Sequence, residues 1–289
     1  MILEEIHMER LKTLPRDYHC SCKYCKKFFK GVLKRSDGSY YNKHERRDYY
    51  SKKELASTKE KAGHPAKTPL HIARWAIQKF TDEGDWVLDP TVGSGTTMVE
   101  AILQGRNSIG IELEFTEVTE ANVEAAQSLY GKKSPKGTII EGDARKIKKL
   151  VRRKGIELIV NNPPYWGDQS QKAMKGGLYD YNREKPNIAF EKGESYFDTL
   201  GKIYSECYDL CKKGSHLVIG VKDQIRNKKS DLLHKSLIEV ILRDTEFKLK
   251  GIILLPHYPR TLFMNTYNLR FPEVKIPYYQ TIVVFRREK

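Results

Sequence analysis

The chain has 289 residues, 39% of them hydrophobic and 31% charged, which is enough for one large domain with an appendage. No apolar run approaches the length of a membrane span, and the charged start MILEEIHMERLK is unlike a secretory signal, so a cytoplasmic protein without a membrane partner is expected. Lys and Arg outnumber Asp and Glu by 52 to 37, a balance of +15 that points to a polyanionic partner.

In chain order, residues 1–63 lack a clear period and read as an irregular basic extension that packs onto a sheet formed by the rest of the chain. Between Lys23 and Lys67 there are 14 basic and 5 acidic side chains, interleaved with Tyr24, Phe28, Phe29, Tyr40, Tyr41, Tyr49 and Tyr50. Charge with aromatics suits a nucleic-acid surface; a solvated face with ordinary core aromatics is the plainer alternative. The stretch HCSCKYC brings Cys20, Cys22 and Cys25 together, with His19 and His44 as candidate fourth ligands for a structural zinc. C-x-C-x-x-C has no matching second knuckle here, and reduced thiols are the default in a cytoplasm. Cys207 and Cys211, four apart in a helical pattern, read as packing residues.

From Asp85 onward strand-like and helix-like segments alternate, the pattern of a doubly wound α/β sheet. Strands are expected at Trp86–Leu88, Ser108–Glu112, Gly137–Ile140, Leu158–Asn161, His216–Val221, Phe247–Leu255 and Gln280–Phe285. Apolar residues at spacings of three and four predict helices at Thr96–Gln104, Glu117–Tyr130, Ala144–Arg152, Tyr196–Lys212 and Leu232–Arg243. Two stretches break the rhythm: Gln169–Gly193, expected to be an active-site loop, and the Pro- and Tyr-rich His257–Tyr279.

After the first of these strands comes VLDPTVGSGTT, an apolar run, an acid, a proline and a Gly-Ser-Gly turn that opens a helix. Gly93 and Gly95 allow a tight turn and close approach of backbone to a ligand. A Walker loop needs a Lys before the Thr pair, and the dinucleotide fingerprint needs a third glycine; both are missing. What remains is a cofactor with an amino-acid end and an adenosine end. The next strand ends in IGIEL, placing Glu112 where a carboxylate accepts ribose hydroxyls, and EGDAR follows the third, where Asp143 can accept from an adenine amino group.

The stretch IVNNPPYWG, Ile159–Gly167, ends an apolar strand in a rigid polar turn and two aromatics. Its NPPY resembles the catalytic tetrad of the DNA amino-methyltransferases, and that resemblance implies an exocyclic amino group of a base as the methyl acceptor, a poor nucleophile because its lone pair is delocalised into the ring. Two fixed carbonyl acceptors draw its hydrogens aside and favour a pyramidal nitrogen. Asn162 supplies one through its side chain and Pro163 the other through its main chain, held by two consecutive fixed φ angles. Tyr165 can stack on a base swung out of a duplex, and Trp166 can wall the pocket. Methylation at ring carbon five needs a nucleophilic cysteine in a Pro-Cys loop after this strand, and none is there.

Together these motifs resemble the S-adenosylmethionine-dependent amino-methyltransferases of DNA, the adenine-N6 and cytosine-N4 type, over residues 64–289. HPAKTP, with Lys67 and Pro69, is similar to the family's segment beside the methionine end of the cofactor. DPTVGSGTT, with Asp89, Pro90, Gly93, Ser94, Gly95 and Thr96, resembles its cofactor loop. IGIEL resembles its ribose carboxylate, and Asn162, Pro163, Pro164 and Tyr165 its NPPY tetrad, in which Asn162 also borders the cofactor. YQTIVVFRR resembles its reversed seventh strand. The family loop often reads D-P-F-x-G-S-G-T-T, and Thr91 stands here in place of the aromatic.

The resemblance implies a seven-stranded Rossmann-like sheet with a reversed last strand, S-adenosylmethionine as cofactor, and base flipping in DNA as part of restriction-modification. A large separate target-recognition domain is not expected, so sequence choice would fall to residues 169–193, 257–279 and the extension. Adenine is slightly preferred over cytosine. RNA is not excluded, a partner nuclease is left open, and an inactive cofactor-binding module that uses its basic extension for nucleic acid or a partner is the alternative of another class.

Overall fold

The computed structural model describes residues 22–33, 68–164, 186–226, 229–256 and 279–289. Lys67, Tyr165, Trp166, Cys20, His19, His44, most of the extension, and most of the 169–193 and 257–279 segments lie outside the described residues.

The α/β alternation is realised as a sheet with helices on both faces. Its parallel part comprises β2 (Trp86–Asp89), β3 (Asn107–Glu112), β4 (Gly137–Glu141), β5 (Ile156–Asn161) and β6 (Cys211–Val221), joined through α3 (Thr96–Leu103), α4 (Thr116–Tyr130), the short α5 (Ile147–Leu150) and α6 (Glu194–Leu210). After β6 come α7 (Leu233–Asp244), β9 (Lys248–Pro256) and β10 (Tyr279–Arg286), and between β6 and α7 lies a small hairpin of β7 (Gln224–Arg226) and β8 (Lys229–Asp231). β10 runs antiparallel to both neighbours, β6 and β9, which is the reversed last strand expected from YQTIVVFRR.

Among the described residues the sheet has eight strands rather than seven, in the order β1-β9-β10-β6-β5-β2-β3-β4. The added one, β1 (Phe29–Val32), comes from the extension, follows α1 (Lys23–Phe28), and pairs parallel with β9. The expectation of a wholly irregular extension is therefore corrected for residues 23–32. β1 covers what would otherwise be an exposed edge of β9.

Two layers of core arise from the period of two along the strands. Ile72, Ala73, Ala76 and Ile77 of α2 (Leu70–Phe80), a helix that the periodicity of the sequence did not signal, pack with Leu158, Val160, Val218 and Ile282 on one face. Tyr196, Leu200, Ile203, Tyr204 and Cys207 of α6 pack with Ile159, Leu217 and Leu237 on the other. Leu210 ends α6, short of the expected Lys212, because β6 already begins at Cys211. Burial pushes the thiols of Cys207 and Cys211 up, the latter to about 12, so both are packing groups without thiolate character at neutral pH. Among the described residues no helix is long and apolar enough to cross a membrane.

Strand order reverses between β2 and β5, since the chain moves outward from β2 to β3 and β4 and then returns to the other side of β2. Open α/β sheets bind ligands at the carboxyl ends of their strands beside such a switch point.

Candidate functional site

At that point an open cleft is lined by the ends of four strands and the segment around Asn187. Its floor begins with the turn after β2. Gly93 and Gly95 have φ of 57° and 87°, the left-handed region that glycine adopts without steric cost, so the chain reverses tightly before α3. Helix α4 clamps the turn from behind: Asn122 Nδ2 donates to the Ser94 carbonyl at 2.7 Å, and the Thr119 hydroxyl donates to the Gly93 carbonyl. Pro90, Thr91, Val92, Gly93 and Ser94 all face the cleft.

Asp89 lies under the turn and does not line the cleft. Its carboxylate, 1% exposed, accepts from the Thr91 N–H at 3.1 Å, the Thr97 hydroxyl at 2.6 Å and Asn161 Nδ2 at 2.9 Å. Burial pushes this carboxyl up to about 6 although all three donors favour its charged form. Asp89 thus ties the first strand's turn to the end of β5. Gly95 and Thr96 also stand behind the cleft, at the start of α3, and Pro69 caps α2 beside Thr68, which does line it.

Glu112 ends β3 and reaches back into the turn. Its carboxylate accepts three backbone N–H groups, from Gly93 at 2.8 Å, Glu114 at 3.0 Å and Phe115 at 3.2 Å, so it is rigidly placed on the cleft wall. Asp143, after β4, also lines the cleft and accepts from the backbone and side chain of Arg145. Burial pushes its carboxyl up, but the Arg145 hydrogen bonds and charge outweigh that and leave it below the ordinary carboxylate range. Arg145 bonds onward to Glu191 and to the Pro186 carbonyl, anchoring the segment that carries Asn187 and Ile188. Ile111, Ala144 and Ile188 supply apolar wall between the two carboxylates.

At the end of β5 two adjacent asparagines divide the work, because successive side chains leave a strand on opposite faces. Asn161 turns toward α6: it donates to Asp89 and to the Thr91 hydroxyl at 2.8 Å, and accepts from the Tyr204 hydroxyl at 2.7 Å. Asn162 turns toward α2 and the cleft, where its Oδ1 accepts from Gln280 Nε2 of β10. Gly220 makes room for that bond; a Cβ there would sit 2.9 Å from both Asn162 Oδ1 and Gln280 Nε2. Pro163 is buried, and the carbonyl of Pro164 accepts from the Tyr196 hydroxyl at 2.8 Å.

Of the residues singled out in the sequence, Pro90, Gly93, Ser94, Glu112, Asp143, Asn162 and Pro164 meet at this one cleft. Asp89, Gly95, Thr96, Pro69 and Pro163 stand just behind it. Sequence reasoning missed Asn161, Asn187, Tyr196, Tyr204 and Gln280. Tyr196 and Tyr204, eight apart on a predicted helix, fall on one face, and Gln280 is the lone amide opening an apolar strand; those were the available signals.

Residues 18–123 match the family model described as DNA methylase. The chain is 46% identical over 57 residues to the Type II methyltransferase M.MthZI of Methanothermobacter thermautotrophicus, covering 19% of this chain and 16% of that protein. It is 42% identical over 72 residues to the Type II methyltransferase M.BglI of Bacillus subtilis, 24% and 21% of the two chains. A tRNA (guanine(10)-N2)-dimethyltransferase of Pyrococcus abyssi is 35% identical over 103 residues, 35% and 29% of the two. Each of these matches spans under a third of the relative's own length. Among solved structures, TrmN from Thermus thermophilus aligns with a TM-score of 0.49 at 15% identity, over 79% of this chain and 52% of that one.

Proposed function

We propose that the chain is an amino-methyltransferase of DNA and that it transfers a methyl group from S-adenosylmethionine to the exocyclic amino group of adenine, or of cytosine; the match of residues 18–123 to the DNA methylase model supports this reading. The observation that carries this is that Asn162 and Pro164, with the buried Pro163 between them, border a cleft whose other walls are the Gly93 turn, Glu112 and Asp143.

The donor set fits such a cofactor. Gly93 and Gly95 bring backbone close to a ligand, Glu112 is positioned to take ribose hydroxyls, Asp143 to take an adenine amino group, and Ile111, Ala144 and Ile188 to flank an adenine ring. S-adenosylmethionine supplies, when bound, a methyl on a sulfonium sulfur. The protein supplies the rest. Asn162 Oδ1 has two acceptor directions; Gln280 takes one and holds the amide still, which directs the other at an amino hydrogen of the base. Tyr196 holds the Pro164 carbonyl, so the substrate-facing acceptor is the carbonyl of the preceding Pro163, fixed between two proline rings. Acceptors that are already oriented need no reorganisation as the amino nitrogen becomes pyramidal. Tyr165 and Trp166 lie outside the described residues; from the sequence Tyr165 is assigned to stacking on a flipped base and Trp166 to walling the pocket or stacking as well.

Adenine is preferred slightly because Asn opens the tetrad. An RNA guanine or adenine amino group is the second reading, favoured by the tRNA enzyme among the relatives and by the same geometric demand. Incubation with labelled S-adenosylmethionine and either duplex DNA or RNA, followed by nucleoside mass spectrometry, is the test: N6-methyladenine or N4-methylcytosine from DNA is expected. Asn162→Ala should bind cofactor normally and lose roughly two orders of magnitude in rate. Label confined to RNA, or near-normal turnover in Asn162→Ala, would overturn this assignment.

A further inference from the structure

The start of α1 packs against the start of α7, 209 residues away, through sulfur and imidazole. Cys25 Sγ lies 3.3 Å from His234 Nε2 and Cys22 Sγ 3.8 Å from the same atom. The three donor atoms fall within 4.8 Å of one another, and Cys25 and His234 are buried. We infer that Cys22, Cys25 and His234 hold one zinc ion, which clips the N-terminal strand to the catalytic sheet.

The geometry favours a metal over a simple thiol–imidazole contact. Zn–S bonds of about 2.3 Å and Zn–N of about 2.0–2.1 Å place tetrahedral donors roughly 3.6 Å apart for S···N. The two observed S···N distances, 3.3 and 3.8 Å, bracket that figure. On the far side of the ring, His234 Nδ1 meets both oxygens of Asp223 at 2.8 and 2.7 Å, and the His234 backbone N–H donates to Asp223 at 3.1 Å. A carboxylate on Nδ1 fixes the proton there and turns the Nε2 lone pair outward, the arrangement that orients and strengthens a zinc-binding histidine. That single lone pair faces two sulfurs. One cation between them satisfies all three donors at once, whereas a thiol proton satisfies a single pair. The Cys25 N–H also donates to Cys22 Sγ at 3.5 Å, which favours the thiolate a metal requires.

Two soft sulfurs with one imidazole select zinc over magnesium or calcium. A fourth position remains for water or a further donor. Cys22 and Cys25 are among the ligands expected from sequence, His234 from α7 is an addition to them, and Cys20, His19 and His44 lie outside the described residues. The clip holds α1 and therefore β1 against β9. Asp223 lies three residues past Gly220, the glycine that admits the Asn162–Gln280 bond, so the same ion steadies the strand end beside the candidate site.

The test uses the full chain without a polyhistidine tag. Elemental analysis should find about one zinc per chain, and exchange into cobalt(II) should give thiolate-to-cobalt charge-transfer absorption. His234→Ala should abolish both. Asp223→Asn keeps every donor and should weaken zinc affinity about 10–100-fold in competition with a chromophoric chelator, so the test survives if a ligand variant fails to fold. Protein that lacks zinc and takes up no cobalt, a Cys22–Cys25 disulfide, zinc retained in full by His234→Ala, or unchanged affinity in Asp223→Asn would each overturn the site.

Discussion

Replacing Tyr204 by Phe isolates one strut under the candidate site. The ring of Tyr204 is fully buried in the core beside α7, and its hydroxyl donates to Asn161 Oδ1 at 2.7 Å, an oxygen that is itself buried. Burial pushes the phenol well above its ordinary range, so it remains a donor at every workable pH. Phe keeps the ring packing and removes only the donor, leaving the Asn161 carbonyl without it in a place water does not reach. An unsatisfied buried acceptor costs about 1–3 kcal/mol. Taking about 2 kcal/mol at 1.4 kcal/mol per decade, the folding equilibrium should shift roughly 30-fold, independently of pH. Urea denaturation followed by circular dichroism should show a lower midpoint with an unchanged slope. A loss below about 0.5 kcal/mol would refute the claim that this bond braces the Asn161–Asp89 junction, since surface substitutions produce as much.

Asp89 has a raised carboxyl, about 6 in the folded chain against 3.8 unfolded, so its contribution to stability is full below pH 3.8 and is lost as pH rises through 6. Wild type should accordingly gain about 2–3 kcal/mol relative to Asp89→Asn between pH 7 and pH 4, read from paired urea titrations; parallel curves would contradict it. Glu112→Ala removes a carboxylate that holds three backbone N–H groups on the cleft wall and should weaken S-adenosylmethionine binding at least tenfold by calorimetry, with unchanged affinity removing the ribose assignment. Gln280→Ala frees the Asn162 amide without touching the cofactor walls, so kcat should fall roughly tenfold while cofactor affinity holds, and a fall in affinity alone would place Gln280 elsewhere in the mechanism. Cys207→Ala and Cys211→Ala should retain methyl transfer, and both native thiols should resist alkylation at neutral pH, because burial keeps them protonated.

Strands β2 to β6, β9 and β10 were visible from the amino-acid order because buried strands write themselves as short apolar runs bounded by turn residues, a local signal. The Gly93–Gly95 turn was visible for the same kind of reason: glycine has few other uses between a strand and a helix. β1 was not, since FKGV has no period of its own and becomes a strand only by pairing with β9, more than 200 residues later. The two asparagines where β5 ends, Asn161 and Asn162, show the boundary well. Their order is written in the chain, and alternation guarantees opposite faces, but which one braces Asp89 and which faces the cleft was decided by where α6 and β10 stand. The same holds for Cys22 and Cys25, whose partner His234 belongs to a different element. Local sequence sets which backbone segments become strands, helices and turns through propensity and periodicity. Partners of a buried polar group are chosen by packing across the sheet, where the hydrogen-bonding need is local but its satisfaction comes from residues the chain meets only after it has folded.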